Sequence, residues 1–511
     1  MSLLADADLR VFADYDADVD LETDVVVVGS GPGGAVVAHE LALAGRRVVL
    51  VEEGPPFVPA DFTTDGGLSM TRTLREGGLR ATVGTVMPTM QAIALGGGSL
   101  VNSAICNKAP VFVLDEWCER YALRQTTLAD LEPHYDAVAE QIGIAPTPED
   151  VQGRRNLLFR DGCRALGYEC EPIARNVRGC RASGECFTGC RSRAKQSVDL
   201  NLVPAALRLG ATVLTSARVE QVLADGRRAL GVRGRIVAPF SGRASHRFEV
   251  RARRVVLAAG CMATPLLLRR SGNLANRSGQ VGRNLQFHPG VAILGLFPEP
   301  VHPEVGATQG FQSRQFLRDG YKLETLWAPP AVLAVRMPGS GHALKQRLLD
   351  LRHSAIWDAI TSCHHSLGEV VPRRGRLDPL LRWRLDPRDL PVLKQALFRL
   401  AEIFFAAGAR AIQPGIARLP DEMTSLAAAR VLRDGELRPQ DLVLGGNHAF
   451  CTTRMHGDPA QGVVDEWGRC HDLDDLYIAD TGAFPRCPGV NPMWTGMALA
   501  RRTARAIAEG L

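Results

Sequence analysis

The stretch Asp24-Val-Val-Val-Val28-Gly29-Ser-Gly-Pro-Gly-Gly34 decides the fold. Its β-branched run shows no polar alternation, as expected of a strand covered on both faces in a parallel sheet. It runs directly into Gly29-x-Gly31-x-x-Gly34. Ala35 to Gly45 follows, with Val36, Val37, Leu41 and Leu43 spaced for a helix. Arg47-Val-Val-Leu-Val51 reads as a second buried strand, ending in Glu52-Glu53-Gly54. Together these form a βαβ unit of about 30 residues, the context a dinucleotide fingerprint requires. Gly29 permits the tight turn, Gly31 lets backbone approach a pyrophosphate, and Gly34 lets helix and strand pack closely. The helix N-terminus presents N–H donors and its positive dipole end to the phosphates. Glu52 ends the second strand, where a carboxylate accepts the ribose hydroxyls and disfavours a 2′-phosphate. FAD or NAD therefore fits better than NADP, and this motif does not separate the two.

Outward from this unit, residues 55–110 are rich in Gly, Thr and Pro and read as loops, and residues 111–170 as mainly helical. A helix from Val203 to Gly210 leads into a strand, Ala211 to Thr215. Strand-like segments Arg218 to Leu223 and Ala229 to Val237 flank the turn Ala224-Asp-Gly226, and Arg254 to Gly260 is another apolar strand. Residues 290–440 have a different, mixed texture that includes a helix from Leu390 to Gly408. The chain closes on an amphipathic helix, Thr495 to Gly510. The alternation predicts an α/β architecture: a discontinuous nucleotide-binding domain (24–289 and 441–511) interrupted by an α+β substrate-binding domain (290–440). Residues 111–200 form a helical and loop excursion, and 1–23 an N-terminal extension.

At 511 residues the chain is long enough for two or three domains. A hydrophobic fraction of 46% and a charged fraction of 23% are ordinary for a globular enzyme. The net charge of +5 is small, and the basic residues occur as scattered pairs such as Arg373-Arg374 and Arg501-Arg502, which argues against nucleic-acid binding. Met1 to Asp24 is acidic and lacks the n-region and h-region of a secretory signal. No window approaches the roughly 20 apolar residues of a membrane span. A cytoplasmic protein with no membrane partner is expected. Its 12 cysteines are then expected as buried thiols or metal ligands rather than disulfides.

Four later segments resemble the glucose-methanol-choline oxidoreductases. Leu95-Gly-Gly-Gly-Ser-Leu-Val-Asn102 is similar to the family's first signature, a glycine turn against the flavin. Gly260-Cys-Met-Ala-Thr-Pro-Leu-Leu-Leu-Arg-Arg-Ser-Gly272 is similar to the second, although Cys261, Asn273 and, in the first signature, Ile93 depart from the usual residues. Val281-Gly-Arg-Asn-Leu-Gln-Phe-His-Pro289 resembles a family loop. The C-terminal stretch contains His448 to Met455, Leu476 to Asp480 and Gly489-Val-Asn-Pro492. The resemblance implies FAD, with Gly97, Asn102, Val219, Asp480 and Pro492 joining Gly29, Gly31, Gly34 and Glu52 around it. In some relatives a histidine just before the position of Asn102 holds FAD covalently. Here that position is Val101, so noncovalent FAD is expected.

The resemblance also implies that His448 and Asn491 stand at the flavin's reactive edge. Alcohol oxidation removes a hydroxyl proton and a carbon-bound hydride, and imidazole titrates in the range useful for taking the proton. His448 is therefore expected as base and Asn491 as the amide that holds the alcohol oxygen. His288, His353, His364, His365 and His456 are read as structural. The expected reaction is oxidation of an alcohol to a carbonyl, with oxygen or another acceptor completing the cycle. The aliphatic residues 325–352 suggest a hydrophobic or bulky alcohol. A lyase of the hydroxynitrile-lyase type, which keeps FAD without net redox change, is the alternative. A flavin subunit of an electron-transferring dehydrogenase is another, and it would need an iron–sulfur cluster. Cys180-x5-Cys186-x3-Cys190 bears on that last reading. It is also read as a structural or disulfide-bonded loop, as another metal site, or as a reactive thiol beside Arg181, Arg191 and Arg193. No metal ligand is assigned.

Overall fold

The computed structural model describes residues 8–334, 337 and 339–510. The first seven residues of the expected N-terminal extension lie outside these, as do residues 335, 336 and 338 of the aliphatic stretch. The Val25–Val28 run forms the inner half of a ten-residue strand, Val19–Val28, and all four valines are buried. It lies between two parallel neighbours, Val48–Val51 and the end of the long strand Ala244–Leu257, and its alternate side chains enter two different apolar clusters, so neither face of the run meets water. Eight strands make up this sheet, which Thr212–Leu214 and Leu9–Arg10 extend on one side. On the other side Ala244–Leu257 pairs antiparallel with Arg228–Val237, which pairs antiparallel with Ala217–Asp225. Leu476–Ile478 joins Ala244–Leu257 from the far end of the chain. Residues 9–10 and 19–23 are thus built into the sheet, and treating 1–23 as an extension outside the domain is corrected.

The helix Pro32–Leu43 starts immediately after the first glycine turn, with Gly31 as its N-cap and proline in its first turn, where a missing N–H costs nothing. It packs beside the closing helix Met493–Glu509. Both begin at the same end of the sheet.

A second sheet of six strands runs Ala411–Gln413, Gly290–Leu296, Ser354–Thr361, Tyr321–Leu326, Phe311–Ser313, Glu171–Pro172. Every pairing in it is antiparallel. Its last strand comes from the 111–200 excursion, whose helix Arg154–Ala165 packs on the helix Leu390–Ala406. One face of the sheet carries Tyr321, Leu323, Ala355, Trp357 and Ala359 into a core with Leu393, Leu397 and Leu400. Trp357 stacks on Phe404 there with ring centroids 3.8 Å apart. The opposite face turns toward the nucleotide-binding sheet and forms one wall of a cavity. Among the described residues no helix is long and apolar enough to cross a membrane.

Candidate functional site

A cavity of about 740 Å³ joins the two sheets, in the upper part of the range for small-molecule sites. Gly29, Gly31, Glu52, Gly97, Asn102, Val219, His448, Asp480, Asn491 and Pro492 all line it. Gly34 does not. A Cβ there would lie 1.8 Å from the carbonyl oxygen of Gly29, so its role is the close approach of helix to turn. Gly31 has the opposite surroundings: a Cβ built on it meets nothing within 4 Å, and its face opens on the cavity. Gly97, with φ +53, packs so that a Cβ would come 2.7 Å from Gly31 Cα. The two glycine turns therefore form one backbone cradle at the start of the helix Pro32–Leu43, a surface suited to a dinucleotide pyrophosphate.

Ser30 Oγ joins the two turns, donating to Glu52 Oε2 (2.7 Å) and accepting from Gly96 N–H (2.9 Å). Glu52 also accepts from the N–H groups of Ser30 and Gly54, while burial pushes its carboxyl above the usual range. Asp480 ties the C-terminal segment to the second signature. One oxygen accepts from Gly260 N–H (3.0 Å) and Thr264 Oγ1 (2.6 Å), the other from Gly482 N–H (2.7 Å). Asn102 turns its Oδ1 back to Ala104 N–H, and its carbonyl accepts from the buried Lys195 ammonium. Val219 is a half-buried lining residue of the Ala217–Asp225 strand.

The reacting end lies where the strand Ala449–Phe450 pairs with Gln286–Phe287. This short ladder makes His288 and His448 cross-strand neighbours, with their Nδ1 atoms 3.3 Å apart. His288 Nε2 accepts from Gly489 N–H at 3.1 Å. Burial pushes both imidazoles down, His448 to about 4 and His288 well below its usual value, so both rings are neutral near pH 7. The tautomers then follow from the donors. A backbone N–H only donates, so His288 carries its proton on Nδ1 and gives it to His448 Nδ1. His448 accordingly holds its own proton on Nε2, the ring nitrogen left for a molecule in the cavity. In this arrangement His448 presents a donor, whereas the sequence reading expects a base. His288, read as structural from sequence, belongs to the site, and its place in the Val281–Pro289 family loop was the available signal.

Asn491 precedes the closing helix and is buried. Its Oδ1 accepts from Lys322 Nζ (2.7 Å) and Asn107 Nδ2 (3.1 Å). Lysine has no acceptor, so the amide's orientation is set and Nδ2 is left for the cavity. Lys322 is fully buried and spends its other two donors on Gln312 Oε1 (2.8 Å) and Glu324. Gln312 in turn exchanges hydrogen bonds with Asn107. Lys322 and Glu324 have no sequence motif and become site residues only through the second sheet.

The three cysteines of the 180–190 loop are free thiols, and no group of three metal-ligating side chains occurs among the described residues. The Cys186 sulfur accepts from Arg175 Nη2 at 3.1 Å. Burial acts to raise this thiol, but Arg175 and Lys195 outweigh it and hold it below its ordinary value.

The family model described as GMC oxidoreductase matches residues 70–290 with its N-terminal part and 371–500 with its C-terminal part, and an NAD(P)-binding Rossmann-like model matches 27–57. An uncharacterized GMC-type oxidoreductase of Mycobacterium tuberculosis is 33% identical over 503 residues, 98% of this chain and 78% of that one. A long-chain-alcohol oxidase of Arabidopsis thaliana is 27% identical, covering 99% of this chain and 71% of that one. Among solved structures, pyridoxine 4-oxidase from Mesorbium loti superposes with a TM-score of 0.72 at 20% identity, over 95% of this chain and 99% of that one.

Proposed function

This chain belongs to the glucose-methanol-choline oxidoreductase family, FAD-dependent enzymes acting on CH–OH donors, and from that premise we propose that it oxidises an alcohol with a long or bulky apolar body. The observation that carries the substrate class is the cavity wall contributed by the second sheet. Ala292, Leu294, Leu326, Ile356 and Ile360 face the cavity from adjacent strands, continued by Leu333 and Met337. A wall of this kind gains free energy by covering apolar surface, at about 25 cal/mol per Å². The likeness to a long-chain-alcohol oxidase points the same way.

The cradle of Gly31 and Gly97, the buried Glu52 and Asp480, and the lining residues Asn102, Val219 and Pro492 fit FAD, which Val101 leaves noncovalently held. FAD when bound supplies the hydride acceptor. His448 Nε2–H and Asn491 Nδ2–H hold the alcohol oxygen, and the two donors orient its carbon. The surrounding apolar wall excludes water from the pair.

The test is an anaerobic titration of the purified holoprotein with alcohols of increasing chain length, followed by flavin absorbance. Bleaching that strengthens from short to long or bulky alcohols is the expected result. Bleaching by short polar alcohols alone would remove the substrate class. A flavin that stays oxidised while a hydroxynitrile is cleaved would replace oxidation by the lyase reading.

A further inference from the structure

Three buried cations, Arg155, Arg175 and Lys195, surround Cys186. Arg155 is fully covered, and Arg175 and Lys195 are 2% and 1% exposed. Their donors go largely to backbone carbonyls, and no carboxylate forms an ion pair with any of them among the described residues. Arg155 donates to Pro303, Val305 and Ala307. Lys195 Nζ donates to the carbonyls of Leu100 (2.6 Å), Asn102 (2.8 Å) and Cys186 (2.9 Å), and Arg175 Nε to that of Ser103 (3.0 Å). Carbonyls satisfy donors but do not cancel charge, and a buried charge without a counter-charge is costly. Asp199 and Glu304 act on Lys195 and Arg155 only from farther away, and burial pushes the Asp199 carboxyl up, which weakens it as a counter-charge. The Cys186 sulfur is better placed. It accepts from Arg175 Nη2 at 3.1 Å, and the fully buried Thr308 Oγ1, with no other partner among the described residues, reaches it as well. Cys190 Sγ lies 3.5 Å from the Lys195 backbone nitrogen, and Arg191 of the same loop is paired with Glu185.

We propose that Cys186 rests as a thiolate and is the site at which a peroxide modifies this protein, with release of FAD as the consequence. Cys186 is partly exposed, so a small oxidant reaches its sulfur. The thiolate attacks one oxygen of hydrogen peroxide, a sulfur–oxygen bond forms and the oxygen–oxygen bond breaks. Sulfur is oxidised to a sulfenic acid, and the departing hydroxide takes a proton from solvent and leaves as water. A neutral sulfur no longer balances Arg175 and Lys195, which together hold the carbonyls of Leu100, Asn102 and Ser103. Val101, Asn102 and Ser103 line the cofactor cavity, as do Phe187 and Thr188 next to the modified residue. Loss of one negative charge at Cys186 therefore slackens a segment that faces the flavin.

The test exposes the holoprotein to limiting hydrogen peroxide, traps sulfenic acid with dimedone and maps the adduct by mass spectrometry. Cys186 should be labelled first among the 12 cysteines. Alkylation by iodoacetamide gives a second readout that needs no variant. Between pH 8.5 and pH 7 its rate at Cys186 should fall less than about fivefold, where an ordinary thiol loses more than about tenfold. Protein alkylated at Cys186 should release FAD at least about tenfold faster than untreated protein, followed by the rise in flavin fluorescence. Cys186→Ser should shed FAD in the same way and take up no adduct at that position, whereas Cys190→Ser should leave the labelling of Cys186 unchanged. If Cys186→Ser fails to fold, the wild-type labelling, pH profile and release rates decide alone. Labelling of Cys180 or Cys190 ahead of Cys186 overturns the inference. So does a pH profile like that of an ordinary thiol, or FAD release that complete modification of Cys186 does not change.

Discussion

Lys322 shows how a buried charge is kept in a protein wall. Its three donors meet three acceptors, on Gln312, Glu324 and Asn491, and its side chain is fully covered. Removing one member of such a pair leaves the other charge buried without compensation, at a cost of about 3–5 kcal/mol. Lys322→Met is therefore expected to lower unfolding stability by that amount in urea titrations, with Lys322→Met/Glu324→Leu recovering much of it. Equal stability of the single and double variants would contradict the pairing. The two histidines carry a pH signature. Their folded values lie below the ordinary 6.5, so the unfolded chain binds more protons between pH 6.5 and about 4. Stability is then retained above pH 6.5 and lost as pH falls through that window. Thermal scans at pH 7 and pH 4.5 should show the drop, and His448→Gln should show a smaller one.

The glycine turn and its helix separate two roles that the G-x-G-x-x-G pattern merges. Gly31 has φ −60, open to any residue, and an unobstructed Cβ direction toward the cavity. Gly31→Ala should therefore fold with near-native stability and lose FAD affinity, because the methyl enters the cradle. Gly34→Ala drives a methyl into the Gly29 carbonyl, a backbone atom with no freedom to yield. It should cost about 1–3 kcal/mol or more by overpacking. Calorimetry of both apoproteins together with their flavin content checks the contrast, and similar melting temperatures for the two would count against it.

The cavity exists because two sheets face one another, and its chemistry is divided between them. The eight-stranded sheet carries the cradle and the two helix N-termini, and the six-stranded antiparallel sheet supplies the apolar wall and Glu324. Cross-strand pairs Leu294 with Ile356 and Leu326 with Ile356 set the wall's middle row. Leu294→Trp fills that row and should shift preference toward shorter alcohols, raising KM for long ones at least tenfold while leaving the short-chain kcat within a fewfold. A chain-length series on the variant measures this, and an unchanged preference would place the substrate's body elsewhere.

What sequence alone determined was the local part. The Val25–Val28 run, the glycine spacing and the carboxylate at Glu52 are consequences of backbone geometry within one βαβ unit, so composition and spacing reveal them. Gly97, Asn102, Asp480, His448 and Asn491 were legible through resemblance, and one cavity gathers them. The helix and strand limits shifted by a few residues, and residues 9–10 and 19–23 entered the sheet because strand pairing, absent from any local pattern, extended it. Only the tertiary structure decided the rest. His288 meets His448 through a two-residue ladder between segments some 160 positions apart. Lys322 and Glu324 lie on a strand that looks ordinary in sequence, as two charged residues in alternation. Folding buries that alternating face against a cavity instead of exposing it to water. Burial turns an unremarkable ion pair into the feature that orients Asn491, an effect that depends on three-dimensional surroundings and leaves no trace in residue spacing.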